Sequence, residues 1–433
     1  HRDLHSFPTR RSSDLGRWTN SITGDLLLGL LNNTSRQVGF NRNYYRQTFH
    51  GLFFNDDWKV SRTLTLNLGL RYELNMPFYD RYDRLGNFVP GLNKLVISDP
   101  KTVPNLAELV ATAGLADRIA TRQEAGLNRG LTFADYTNFA PRVGLAWRPF
   151  GWDGTVVRTG YGIFYAGELL NPIRNDLSNN FPYAVNQTFA RLTTDPNLLT
   201  LAQPFPSSRT ALAGANTAFG YDTHAPTGYL QSWNFTIERE ILKNQAIEIG
   251  YVGSKGTHLA RRYDYNQNFR SLELYNQVGT NFPRPIPGFL AINYYSFGTN
   301  SIYNSFQMSL RRRGSGAFFY RFNYSYSKSI DDASQVTGNS DGGFPNANDS
   351  RNLKLERGRS DFDIGHGISA VMSYELPFGR GRRFASGMRG WQQGVLGGWQ
   401  LSGTSRASTG QPFTVRTSNV DLNLGESQRF RST

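Results

Sequence analysis

Six histidines, a pair of glutamates, an acidic run and one glycine-flanked Ser-Lys step are the residues of this 433-residue chain whose types could do chemistry. His1, His5, His50, His224, His258 and His366 would have to converge to hold a metal ion. His1 and His5 are four apart but fall in the opening 1–15 segment, and the other four lie far from one another, so no metal-ligand pattern is made. Glu238 and Glu240 stand on one face of a strand pattern and resemble a glycosidase dyad in type, but on a hydrated surface such a pair only tunes local charge. Gly253, Ser254, Lys255, Gly256 and Thr257 resemble a phosphate loop, yet the spacing is wrong and the run follows a strand that feeds no helix. A glycine-rich turn into a loop is expected there. Asp331, Asp332, Asp341, Asp349, Asp361 and Asp363, with Asn346 and Asn348, could order a loop around calcium. They lack the fixed spacing of a calcium hand, and a solvated acidic loop is the expectation. The chain has no cysteine, which excludes a disulfide scaffold, a thiolate zinc site and a cysteine nucleophile. No enzyme, catalytic residue, cofactor or metal site is expected.

The elements that would carry these residues are strands. Phe, Trp and Tyr make up 14% of the chain, glycine numbers 44, charged residues are 18%, and mean hydropathy is -0.49. That profile suits an all-β protein with many turns. The longest apolar run, residues 26–31, is far short of the roughly 20 residues a membrane helix needs.

Alternation of apolar and polar residues recurs along the chain. Leu64, Leu66, Leu68, Leu70 and Tyr72 alternate with Thr65, Asn67, Gly69, Arg71 and Glu73, just after Leu52, Phe54, Trp58 and Val60, with Asp56 as an exception. Four further pairs repeat the unit: 138–148 with 157–165, 233–241 with 247–251, 302–310 with 318–327, and 368–376 with a return strand within 396–406. This gives about ten strands of roughly ten residues, the length a tilted strand needs to cross a bilayer.

The connections sort in two classes. Within hairpins they are short, apart from the last; between hairpins they run over 74–137, 166–230, 254–301 and 329–365. Soluble domains rarely carry structureless loops beyond roughly 15 residues. Strict alternation places every long connection at one end of the sheet, the layout of an up-and-down outer-membrane barrel with long extracellular loops. One face would meet lipid and the other a wet lumen. Trp58 and Trp147 fall just before short turns, and Phe378 within one, where a periplasmic aromatic girdle would sit. Ten strands in lipid leave two open edges, a penalty on the order of tens of kcal/mol, so further wall strands are expected outside the sequence unless these ten close on themselves.

The net charge of +14 does not point to nucleic acid. The arginines are scattered, with the longest runs at 311–313 and 380–383, both beside turns, and no nucleic-acid-binding motif accompanies them. Solvated turn charge or contact with anionic lipid headgroups is expected instead. Residues 1–15 show neither apolar period nor a signal-peptide core, and read as a non-native, adapter-like segment before a partial barrel domain over 16–433.

The hairpin of Asp56-Asp57-Trp58 followed by Leu64-Thr65-Leu66-Asn67-Leu68-Gly69-Leu70-Arg71-Tyr72-Glu73 resembles that of TonB-dependent receptors, most closely their Oar-like branch. Further matches follow in family order: 140–146, 232–240, 251–259, 324–332, 360–364, 374–379 and 397–403. The resemblance implies an outer-membrane receptor that binds a scarce, bulky ligand and imports it with energy relayed by the inner-membrane TonB complex. It also implies a carboxypeptidase-regulatory-like domain, a plug and a TonB-contacting box N-terminal to residue 16. Expected partners are outer-membrane lipid and lipopolysaccharide, the TonB complex through that missing region, and an unknown carbohydrate, peptide or metal chelate. Tyr- and Asn-rich stretches such as 293–300 suit carbohydrate or peptide ligands. A passive porin or structural outer-membrane protein would use the same wall. A soluble carbohydrate-binding β-sandwich would instead press the apolar faces together.

Overall fold

The computed structural model describes residues 19–31, 33–39, 42–149, 154–166, 170–190, 199–205, 212–213, 216–268, 283–312, 318–334, 347, 349–413, 415–416 and 429–430. Residues 1–15 therefore lie outside the described residues. The wall is built from β1 (Phe49–Lys59), β2 (Leu64–Asn75), β3 (Phe139–Trp147), β4 (Thr155–Tyr165) and β5 (Tyr229–Leu242). It continues through β6 (Gln245–Asp264), β7 (Phe289–Arg312), β8 (Phe318–Asp331), β9 (His366–Glu375) and β10 (Gln400–Ser408). Each strand pairs antiparallel with the one before it, so the ten form a single meander from β1 at one margin to β10 at the other. This is the all-β, up-and-down sheet of outer-membrane barrel type that the alternation implied. Among the described residues β1 and β10 do not pair, and the sheet stays open.

Register keeps every apolar stripe on one face. Trp58 pairs with Leu66, Val143 with Leu68 and Tyr161, Phe235 with Tyr251, and Phe306 with both Tyr251 and Tyr326. A slip of one residue would turn each of these stripes over, so a shared face fixes the pairing. The stripes are not pressed together in a dry centre. Leu52 is 72% exposed, Phe54 68%, Val143 52% and Met372 57%, which a water-soluble sandwich would not tolerate over so many strands. The indole of Trp233 lies directly across Gly253 on the neighbouring strand, and a Cβ at residue 253 would collide with that ring.

Two aromatic rows bound this apolar face. Near the short turns stand Trp58, Trp147, Phe318 and Tyr374, with Phe378 in the last connection, as expected for one girdle. A second row, not anticipated, lies at the other end: Tyr72 beside Phe139, Tyr165 beside Tyr229, and Tyr326 beside His366. On β3 the rows are marked by Phe139 and Trp147. Eight strand residues at about 3.3 Å span roughly 26 Å, or about 20 Å vertically at a tilt near 40°. That approaches the height of the apolar band of an outer-membrane barrel. Asp56, Arg239, Lys255, Arg312 and Lys328 break the apolar face, each within about two residues of an aromatic row or beyond it, where charge against lipid costs about 0–1 kcal/mol instead of the ~2–4 of the midplane.

The long connections are not structureless. They carry nearly all of the fully buried apolar residues, in clusters around Phe78, Leu85, Val96, Leu131, Ile173 and Leu177, and around Phe88, Leu95, Leu115, Ala218 and Ile292. Short strands at Gly86–Val89, Lys94–Ile97 and Ile119–Thr121 make a small sheet there, and Ala184–Ala190 pairs with Asn33–Gly39 from before β1. Leu170–Ser178 forms a helix, and Asn216–Tyr221 runs parallel to β7. β6 continues to Asp264 and β7 begins at Phe289, so residues 254–264 and 289–301 of the connection expected at 254–301 are strand. The two strands rise past the wall and give the other connections a platform.

Candidate functional site

The polar face of the wall is the candidate site. A groove of about 580 Å³ crosses it, lined by Thr236, Glu248, Gln307, Asn323, Ser369 and Arg406 among others. These come from six consecutive strands and share one face, so that face is concave and the apolar face convex. Hydroxyls and amides bond across the strands: Ser309 donates to Asn323 Oδ1 at 2.9 Å, and the Asn323 amide donates to Ser369 Oγ at 3.2 Å. Each such group keeps further bonding capacity, so the groove can hold water or exchange it for hydroxyl- and amide-bearing solutes.

Toward the short turns the face becomes ionic. Glu238 accepts from Arg158 at 3.1 Å and from Arg311 on the far side, while Glu248 stands opposite it across the β5–β6 pair. The two arginines offset two like charges held side by side. Glu240 accepts from the Asn244 backbone N–H at 3.0 Å. Glu238 and Glu240 therefore form a clasp and a turn contact, and do not face each other across a gap as a glycosidase pair would.

Above the wall, three asparagine side chains with no exposed surface join the connections. The Asn87 amide donates to the carbonyls of Leu131 and Tyr221 and accepts from the Tyr221 N–H at 2.7 Å. Asn180 serves Gly86 and Phe219 in the same way, and Asn266 serves Ile286, Phe289 and Leu290. A carboxamide carries two donors and an acceptor, so it completes the unpaired backbone of several segments at once. Sequence reasoning missed all three, because asparagine in a long connection carries no signal of its own.

Two carboxylates lie in the same layer. Burial pushes Asp80 upward, but hydrogen bonds from Arg84 and from the N–H groups of Tyr44 and Tyr82 outweigh it and hold the group below the usual range. Asp176 goes the other way: burial raises it, despite a 2.6 Å bond from the Tyr295 hydroxyl and the nearby Arg262.

The remaining candidates do not converge on one site, although Ser334 links Asp331 to the Asp361 backbone. Residues 253–257 are continuous strand within β6, with register shifts beginning at Gly256, so the expected glycine-rich turn is not there. Residues 293–300 belong to β7, and Tyr295 is wholly buried, so this stretch is not an exposed ligand-binding loop. His224 stacks on Phe133, His258 Nδ1 lies 3.2 Å from the Phe297 carbonyl, His366 Nδ1 lies 3.0 Å from the Tyr324 hydroxyl, and His50 stands on β1. His1 and His5 are outside the described residues. Asp332 pairs with Arg357, Asp349 with Arg351 and Asp363 with Arg359, while Asp331 accepts from Ser334. The Asp361 N–H donates to the Ser334 hydroxyl oxygen at 3.0 Å. Asp341, Asn346 and Asn348 lie outside the described residues. Among the described residues no three His, Asp or Glu side chains are grouped to hold a metal.

The family model described as an outer membrane beta barrel domain matches residues 6–433. No curated protein matches the chain. Among solved structures, the outer membrane transporter YddB from Escherichia coli is similar at a TM-score of 0.45 and 13% identity, over 86% of this chain and 35% of that one. The pyoverdine outer membrane receptor FpvA from Pseudomonas aeruginosa PAO1 gives 0.39 and 12%, over 92% and 34%. The siderophore receptor PirA from Acinetobacter baumannii gives 0.37 and 8%, over 83% and 38%. The chain thus spans about a third of the length of these solved proteins.

Proposed function

The chain belongs to the outer membrane beta barrel domain family, and from that premise we propose that it is wall and loop layer of a TonB-dependent receptor of the Oar-like branch. Its place is the outer membrane. In this reading the long connections face outside and receive a ligand, and the concave polar face lines the path that the ligand takes inward. Energy comes from the inner-membrane TonB complex through a region preceding residue 16, and further strands close the wall between β1 and β10. Closure is required because lipid offers no partner to the backbone groups of an open edge. No catalytic step is part of this role.

The observation that carries the reading is the asymmetry of the connections. Long ones at one end fold together into a layer with its own buried core, while those at the other end are mostly tight turns. A passive pore needs the wall but gains nothing from so large an ordered layer over its mouth. Uptake separates the two. Cells carrying the full reading frame would be offered labelled ferric chelates, oligosaccharides and peptides, with and without a working TonB protein. The expected result is uptake of one class that disappears with TonB. Uptake that persists without TonB and rises linearly with concentration would establish a passive pore.

A further inference from the structure

The last short-end connection, residues 376–399, is longer than its counterparts and differs from them in composition. It holds four arginines, Arg380, Arg382, Arg383 and Arg389, and no carboxylate. Arg382 pairs with Glu375 at the end of β9. Arg380, Arg383 and Arg389 are exposed and have no carboxylate partner among the described residues, and Arg383 lies over the Phe384 ring. Next to them a short helix, Trp391–Leu396, turns its apolar residues outward. Trp391 is 75% exposed, and Val395, Leu396 and Trp399 are each more than half exposed.

The connection is a built unit. Gln393 on the helix accepts from the Arg380 N–H at 2.6 Å, and Trp399 Nε1 donates to the Val395 carbonyl at 2.6 Å. Phe378 and Phe384 face each other at 5.7 Å. Arginines and indoles are thus held together at the level of the aromatic row that ends the convex face. Water alone would not favour so much exposed indole and aliphatic surface. A zwitterionic surface would leave the unpaired arginines without counter-charge.

We propose that residues 376–399 form a docking surface for anionic phospholipid of the periplasmic leaflet. The indoles and Leu396 enter the headgroup–acyl boundary, and Arg380, Arg383 and Arg389 bond the phosphates. The proposal rests on the orientation given above, with the short connections on the periplasmic side. Arg62, Arg148 and Lys243 stand on other short connections at the same end of the sheet.

The product of the full reading frame, purified in detergent, would be offered equal phosphatidylglycerol and phosphatidylcholine, and retained lipid counted by native mass spectrometry. The wild type should prefer phosphatidylglycerol. The variant Arg380→Gln, Arg383→Gln, Arg389→Gln should lose that preference, by about fivefold per arginine removed. Replacing the same three by lysine should keep most of it. Trp391→Ala with Trp399→Ala should lower retention of both lipids while preserving their ratio. An unchanged ratio in the glutamine variant, or no preference in the wild type, overturns the proposal. Heat-modifiable gel mobility is followed in each sample. Its loss in every sample, wild type included, would mean the barrel reading failed, whereas mobility kept with an unaffected lipid ratio would mean only this surface failed. Should the triple variant alone lose it, Arg389→Gln singly is read by the same ratio.

Discussion

Asp80 shows how one side chain joins distant stretches of the chain. Its carboxylate accepts from Tyr44, before β1, and from Tyr82 and Arg84, after β2, while Arg84 also donates to the Arg42 carbonyl at 2.8 Å. The side chain of Asp80 is fully buried and that of Arg84 nearly so, so removing one charge strands the other. Asp80→Asn should weaken the loop layer by about 3 kcal/mol, read as faster amide exchange over 76–90 with the wall strands unaffected. The pH dependence follows from the depressed carboxyl. Its stabilisation is complete above the ordinary value near ~4 and is lost as pH falls through the lower folded value. Asp176, raised by burial, works in the opposite sense, and its contribution is lost as pH rises through its folded value. None of this was legible in the sequence. Asp80 and Arg84 are four apart, but nothing in their spacing tells that residues 42–46 fold against them.

The strands of the wall were the legible elements, because each carries its own period of two and needs no distant partner to reveal it. The tenth strand was placed only to within 396–406, since Gly397 and Gly398 blur its start, and it lies at Gln400–Ser408. The connections were legible only by length. Their apolar residues pack against segments far away in sequence, as Leu95 does with Ile292, and no local period records that. The stretches 253–257 and 293–300 were misjudged for the same reason. Glycine, serine, asparagine and tyrosine suggested loops, whereas cross-strand pairing between β6 and β7 makes them strand. The buried asparagines are the test of this layer. Asn180→Ala would leave two carbonyls and the Phe219 N–H without their partner, at a cost of about 1–3 kcal/mol. Exchange should quicken in 84–89 and 216–221, and stay slow in β2 and β3.

At the scale of the whole molecule two solvents decide the arrangement. The buried core sits in the loop layer, while the wall buries little of its own because lipid is to cover its convex face. That division explains why mean hydropathy is low in a membrane protein, since only one residue in two of each strand needs to be apolar. The concave groove and the two aromatic rows then follow from register alone. The chain has no cysteine, so a single introduced cysteine gives a unique labelling site. Spin labels placed in turn at residues 232 to 238 of β5, with the protein in lipid vesicles, would be tested against oxygen, which concentrates in acyl chains, and a nickel chelate, which stays in water. Oxygen should dominate at 233, 235 and 237 and nickel at 232, 234, 236 and 238. Odd positions shielded from both probes would instead mean that the apolar face is packed against protein, and that the strands do not form a wall facing lipid.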